Sequence, residues 1–313
     1  MKARKYKTFN GLTGVLALFL AALVCATSQM AMAQLPDVSD QYTIQVIDLP
    51  EGTTPLLTSV NEAGLVVMLY LSGGPINTAI LEDGEWTVIS PPGSVWCGGS
   101  PPSASGRVGL TYAGEDGIVH AAIYHRGTYQ YLSDDPDYEY GINCVSDHGI
   151  MSGYAVDLSD PTGFNHGLLL NTSLSLFQIF DPPGSEWTTP FGINNSGLVV
   201  GCYWVGSNLC GFLYDGQSFT DIKVPGAENS TLPLSINNSG EVGGSYIDSD
   251  GNWRGFLLLN GEFKDFTVPS LFTYGVDFIN DRGQLSGEFV DSDGNWHGYI
   301  ATPLRGGTRA GKK

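Results

Sequence analysis

A glycine that closes a tight turn recurs at Gly64, Gly106, Gly149, Gly197, Gly240 and Gly283, at spacings of 42, 43, 48, 43 and 43 residues. The copy spanning residues 225–269 is the most complete. It runs from an apolar stretch into Ile236-Asn237-Asn238-Ser239-Gly240, then an alternating run, a loop, Gly255-Phe256-Leu257, Asn260-Gly261, a second alternating run and Val268-Pro269. The apolar period is 2 throughout, and no stretch carries the 3.6-residue stripe of a helix. Turn residues delimit four strands in this copy, at 232–236, 241–248, 255–259 and 262–268. One four-stranded unit cannot bury both of its faces alone. Copies of this length therefore stack on one another to make a core, as the blades of a β-propeller do.

Six copies follow, at residues 53–91, 92–135, 136–182, 183–225, 226–269 and 270–303. The first two are degenerate, and Ser103-Ala104-Ser105-Gly106 has lost the asparagine. The sixth stops after its third strand, while residues 42–49 read as a lone fourth strand at the other end of the chain. A ring closes if that strand completes the last copy, whereas a linear stack would need polar caps at both ends. The sequence predicts an all-β fold: a six-bladed β-propeller of four-stranded blades at 42–303, its last blade completed by the N-terminal strand in a 1+3 arrangement. Residues 34–41 are polar and are expected to be loose.

Residues 1–33 have the layout of a secretory signal: Lys2, Arg4, Lys5 and Lys7, an apolar stretch from Leu12 to Val24, and Ala31-Met32-Ala33 before the cleavage point. Cys25 follows Val24 where a lipoprotein signal wants a small residue, so cleavage after Ala33 is expected, with a secreted or periplasmic product. No later stretch is long and apolar enough for a membrane span. Removing four of the 14 Lys and Arg leaves 10 against 32 Asp and Glu, a formal charge of −22. Four of those ten (Arg305, Arg309, Lys312, Lys313) lie in a basic, Gly-rich tail at 304–313 expected to be flexible. So acidic a body repels phosphate backbones, which excludes nucleic acid as a partner, and a monomer is expected. The even set Cys97, Cys144, Cys202 and Cys210 favours disulfides in an exported chain. Cys202 and Cys210, flanking a loop read as five residues, pair across neighbouring strands; Cys97 and Cys144 pair by elimination.

The repeated phrase, with His120-Ala121-Ala122, His166-Gly167-Leu168, Cys210-Gly211-Phe212, Arg254-Gly255-Phe256 and His297-Gly298-Tyr299 opening third strands, resembles the bacterial extracellular HAF repeats. Those are named for a His-Ala-Phe triplet that no copy here spells in full. The resemblance covers residues 42–303 and implies export and a repeated β architecture, without an activity.

In a four-stranded blade, the second-to-third loops and the connections to the next blade share one face, and that is where ligand groups concentrate. There the sequence places Trp96 and Trp187, each after a Pro-Pro-Gly-Ser turn, and the twin Asp-Ser-Asp-Gly-Asn-Trp loops with Asp248, Trp253, Asp291 and Trp296. These six are the candidate ligand-binding residues, although each tryptophan could instead pack between blades. Asp248, Asp250 and Asn252, or Asp291, Asp293 and Asn295, could offer oxygens to Ca²⁺. The glycine stands fourth rather than sixth, however, and no acid stands twelfth, so Asp-Gly turns are the simpler reading and no cofactor or metal is expected. No Ser elbow, His-Glu-x-x-His helix or phosphate loop is present. The leading expectation is a secreted, non-catalytic recognition or scaffold propeller for a glycan or an extracellular protein. The alternative is a polysaccharide hydrolase or lyase working through paired carboxylates, whose positions the sequence does not give.

Overall fold

In the computed structural model, the residues described are 35–47, 52–115, 117–227, 229–268, 272–273 and 275–304. The expected signal, the end of the lone strand at 48–49 and the tail from 305 lie outside them. After strand β1 (Tyr42–Ile47), the first blade is β2–β5 (Thr54–Val60, Val66–Leu71, Ile76–Glu82, Glu85–Val88). The second is β6–β9 (Ser94–Gly99, Val108–Gly114, Val119–His125, Thr128–Tyr131), and the third β10–β13 (Tyr138–Val145, Met151–Asp157, Asn165–Asn171, Leu176–Phe180). The fourth is β14–β17 (Trp187–Ile193, Val199–Val205, Asn208–Tyr214, Phe219–Ile222), and the fifth β18–β21 (Thr231–Ile236, Val242–Ile247, Trp253–Leu259, Glu262–Phe266). The sixth has a split inner strand, β22 (Phe272–Thr273) and β23 (Phe278–Ile279), then β24 (Leu285–Val290) and β25 (Trp296–Pro303).

Every blade is an antiparallel sheet, and β1 lies antiparallel on β25 from Tyr42↔Pro303 to Ile47↔Gly298. The molecule is thus the six-bladed propeller with 1+3 closure that the repeat predicts. Its core lies between blades, as the size of the unit requires. Val67 and Ile80 of the first blade pack on Val108 and Leu110 of the second, and Phe180 of the third packs on Phe212 of the fourth. Across the closure, Ile47 and Ile300 meet Val60 and Val66. Among the described residues no helix is long and apolar enough to cross a membrane.

Two expectations need correction. Residues 35–41 are docked, not loose. Val38 N–H donates to Asp265 O at 3.0 Å, Asp265 N–H to Pro36 O at 2.9 Å and Thr267 N–H to Ser39 Oγ at 2.8 Å, and Val38 is buried. The segment therefore grips the outer edge of the fifth blade before β1 completes the sixth. The four cysteines are free thiols. The β15–β16 turn has two residues rather than five, so Tyr203 lies opposite Cys210, and Cys202 opposite Gly211. Side chains alternate along a strand, which puts Cys202 and Cys210 on opposite faces of the sheet. Cys97 is buried between the first and second blades and Cys144 between the third and fourth, and burial pushes both thiols up to about 11.

The asparagine of the repeated turn links one blade to the next. Asn237 Oδ1 accepts from Ser239 N–H and Glu241 N–H, both at 3.0 Å, while its Nδ2 donates to Asn280 O at 3.2 Å. Asn61, Asn194 and Asn280 repeat the scheme, the last reaching Val60 O across the closure. A second circle uses the next residue: the backbone N–H groups of Asp147, Asn195, Asn238 and Asp281 donate in turn to Asn195, Asn238, Asp281 and Glu62 side chains. Asn237→Ala leaves buried amides and a carbonyl without partners, and is expected to cost about 2–3 kcal/mol. Asn237→Asp, which keeps the acceptors, should cost less in a urea titration. No loss at all in Asn237→Asp would mean the blade-to-blade donation contributes nothing, and a loss equal to that of Asn237→Ala would mean the same of the turn acceptor.

Candidate functional site on the loop-rich face

The face opposite the asparagine turns carries the second-to-third loops and the blade connections. The twin aspartate loops lie there as turns. Asp248 Oδ1 accepts from Asp250 N–H and Asn252 N–H, and Asp291 Oδ1 from Asp293 N–H and Asn295 N–H, all at 2.9 Å. Asp291 Oδ2 meets His297 Nε2 at 2.8 Å, and the imidazole and loop amides hold the Asp291 carboxyl far below its ordinary range. Each carboxylate is thus used by its own loop. Among the described residues, no group of three or more His, Cys, Asp or Glu side chains is placed to hold a metal.

The four tryptophans are half-buried and do not converge on one point. Trp187 Nε1 donates to Thr189 Oγ1 at 2.9 Å, and its ring lies 6.1 Å from Phe164 of the third blade. Trp253 packs on Cys202, Leu209, Leu232 and Leu234 between the fourth and fifth blades, so it is mortar as well as rim. Trp96 is the third residue of the inner strand of the second blade, opposite Ala113, and Trp296 stands opposite Val290 in the sixth.

What does converge is a small open cleft of about 90 Å³ between the second and third blades, lined by Ile118, His120, Asp134, Tyr138, Glu139 and Leu158 among others. Its floor is held by local bonds. Asp135 Oδ1 accepts from Asp137 N–H at 2.9 Å and Tyr138 N–H at 3.1 Å, Tyr140 OH donates to Ser133 O at 2.6 Å, and Leu158 N–H donates to Asp137 O at 2.9 Å. His120 Nδ1 lies 2.9 Å from Asp134 Oδ1, and its ring lies 5.4 Å from that of Tyr112. Burial raises the Glu139 carboxyl above its ordinary range. Ile118 and Leu158, which line the cleft, are both exposed. Exposed apolar side chains beside convergent polar groups are the composition of a ligand site.

None of the cleft residues is among the six candidates read from the sequence. The signals were the Asp134-Asp135-Pro136-Asp137 run and the histidine opening β8, but only the fold brings them together. The first position of three of the five triplets pairs with an acid at or just after the end of its own blade. His120 pairs with Asp134, His166 Nδ1 with Asp181 at 2.7 Å and Arg254 with Asp265, while His297 turns to Asp291.

No family model and no curated protein sequence matches this chain. Solved structures do resemble it. TolB from Acinetobacter baumannii is 10% identical with a TM-score of 0.52, over 80% of this chain and 64% of that one. The β-propeller domain of the trilobed protease from Pyrococcus furiosus, described as having an open velcro topology, is 10% identical with a TM-score of 0.50, over 80% and 85%. The fucose-binding, six-bladed lectin of Aleuria aurantia is 12% identical with a TM-score of 0.48, over 89% and 100%. At these identities the likeness to the first two is one of fold alone.

Proposed function

We propose that this protein is an exported, non-catalytic recognition propeller whose loop-rich face binds a saccharide-sized ligand in the cleft between the second and third blades. The carrying observation is that His120, Asp134 and Glu139 converge there with tyrosine rings and the exposed Ile118 and Leu158. An open cleft of this kind would hold the edge of a sugar ring, with tyrosine faces for contact and carboxyls for hydroxyl groups. Acidic walls on an acidic body favour a neutral or amine-bearing ligand and oppose polyanions. The second reading, polysaccharide cleavage, rests on Glu139, since a carboxyl whose proton is held more tightly by burial is a candidate general acid.

A screen of immobilised neutral, amine-bearing and acidic glycans, followed by calorimetry on the best ligand, tests both readings. Glu139→Gln and His120→Ala are expected to lower affinity by roughly tenfold or more, the loss of a hydrogen bond to a charged group, with little change in Tm. Asp250→Asn, in the fifth blade, should leave binding intact. Retention of affinity in both cleft variants, or selective binding of polyanions, would refute the site. Release of reducing ends that Glu139→Gln abolishes would make the protein a hydrolase.

A further inference from the structure

The sixth blade carries two acids that the binding site does not use. Glu288, in β24, lies opposite Gly298, at the place where the fourth and fifth blades carry Cys202 and Ser245. Asp277 precedes β23, its N–H donating to Ser286 O at 2.9 Å. Both side chains are buried, 7% and 2% exposed for Asp277 and Glu288, and they hydrogen-bond to each other and to the backbone of Thr58 in the first blade. Asp277 Oδ2, Glu288 Oε1 and Ser286 Oγ are buried without a partner, and the Thr58 hydroxyl lies beside Glu288. This polar group sits where the ring closes.

We propose that Asp277 and Glu288 share one proton within the sixth blade, where it faces Thr58 of the first, and that its loss on raising the pH loosens the junction at which the ring closes. Two carboxylates in contact must share a proton to form a hydrogen bond, because each alone only accepts. The proton resides on Asp277, Glu288 accepts it, and the Thr58 N–H supports the negative charge. That amide, a partial positive charge aimed at both carboxyls, favours a shared proton over a metal cation. The surrounding elements bring no opposing charge to the pair. From β25 the facing titratable group is Tyr299, whose hydroxyl donates to Gly275 O at 2.6 Å. Strand β2 contains no ionisable residue. The fifth blade meets neighbouring Gly275 with Ser245 and the backbone of Arg254, whose guanidinium is engaged by Asp265. Burial holds both carboxyls above their ordinary range; the neighbouring Glu288 raises Asp277 further, while the hydrogen bonds from Asp277 and Thr58 pull Glu288 part of the way back.

The sign follows. The native pair binds a proton that the unfolded chain releases near pH 4, so stability from this source falls as pH rises above about 4. Thermal melts of the purified protein between about pH 5 and pH 9, compared with those of the Asp277→Asn/Glu288→Gln double variant, test this. Wild-type Tm should fall across the range by about 5 °C more than that of the variant. If the double variant does not fold, Asp277→Asn alone should still flatten the slope. Parallel slopes would overturn the proposal. So would a wild-type Tm that rises with CaCl2 and drops with EDTA while the variant ignores both, since a cation would then occupy the pair.

Discussion

Deletion of residues 34–50 is expected to turn a cooperatively melting ring into an aggregating chain. The deletion removes β1, and with it the six-residue pairing to β25. It also removes Val38 and Ile47 from the core and Tyr42 and Ile44 from its margin. At about 1.5–3 kcal/mol for each fully buried apolar side chain, the two core residues and the partly buried pair together approach the whole stability of a typical domain, about 5–15 kcal/mol. What remains exposes β25 as an edge strand with its backbone groups unpaired, a template for association. The grip of residues 36–39 on Asp265 and Thr267 is lost as well, so the fifth blade frays with the sixth. Size exclusion and a circular-dichroism melt decide the matter. A monomeric truncation that melts as the full chain does would mean that β1 does not close the ring.

How much of this was legible depends on the range of the interaction that fixes each feature. Blade number, strand order and the velcro closure were readable because period, alternation and turn glycines are local and repeat. The asparagine circle was half readable: Ile-Asn-Asn-Ser-Gly announces a turn, but the donation from Asn194 to the next blade belongs to the ring. The cysteines failed on one residue of register. A loop of Gly206-Ser207 in place of a five-residue loop moves Cys210 opposite Tyr203, and a single step in a strand exchanges its faces. Asp248 and Asp291 were read correctly as turn formers, each engaged by the amides two and four residues on. The cleft escaped because its walls come from the most degenerate copy and its neighbour. Asp134 and Glu139 mean little until the blade interface puts His120 beside them. The Asp277–Glu288 pair escaped for the same reason, since Gly-Glu-Phe in the sixth copy looks like a surface variant of Gly-Ser-Tyr in the fifth.

Gly244→Ala is expected to destabilise the protein by about 3 kcal/mol, lowering Tm by roughly 6–10 °C. The glycine of the second strand recurs as Gly153, Gly201, Gly244 and Gly287, and its role is proximity. A methyl group at Gly244 would overlap the Leu232 carbonyl oxygen and approach the Phe256 ring at 2.6 Å. At Gly201 it would meet Thr189 O and, at 2.9 Å, the Phe212 ring. Inner strands β14 and β18 bulge at these positions, between Pro190 and Gly192 and between Pro233 and Ser235, pressing a carbonyl against the second strand. Phe212 and Phe256, both fully buried, lie over the space where a Cβ would stand. Neither a backbone carbonyl nor a ring packed on all sides can retreat cheaply. The comparison that isolates this cause is Gly251→Ala. Gly251 has φ +83° but nothing within 4 Å of an added Cβ, so only the left-handed backbone opposes the change, at about 1–2 kcal/mol. Urea titrations of the two variants should rank Gly244→Ala as clearly the worse. Equal losses would mean that the second-strand glycine serves chain conformation, and that the close approach of inner strand, glycine and aromatic ring does not set blade geometry.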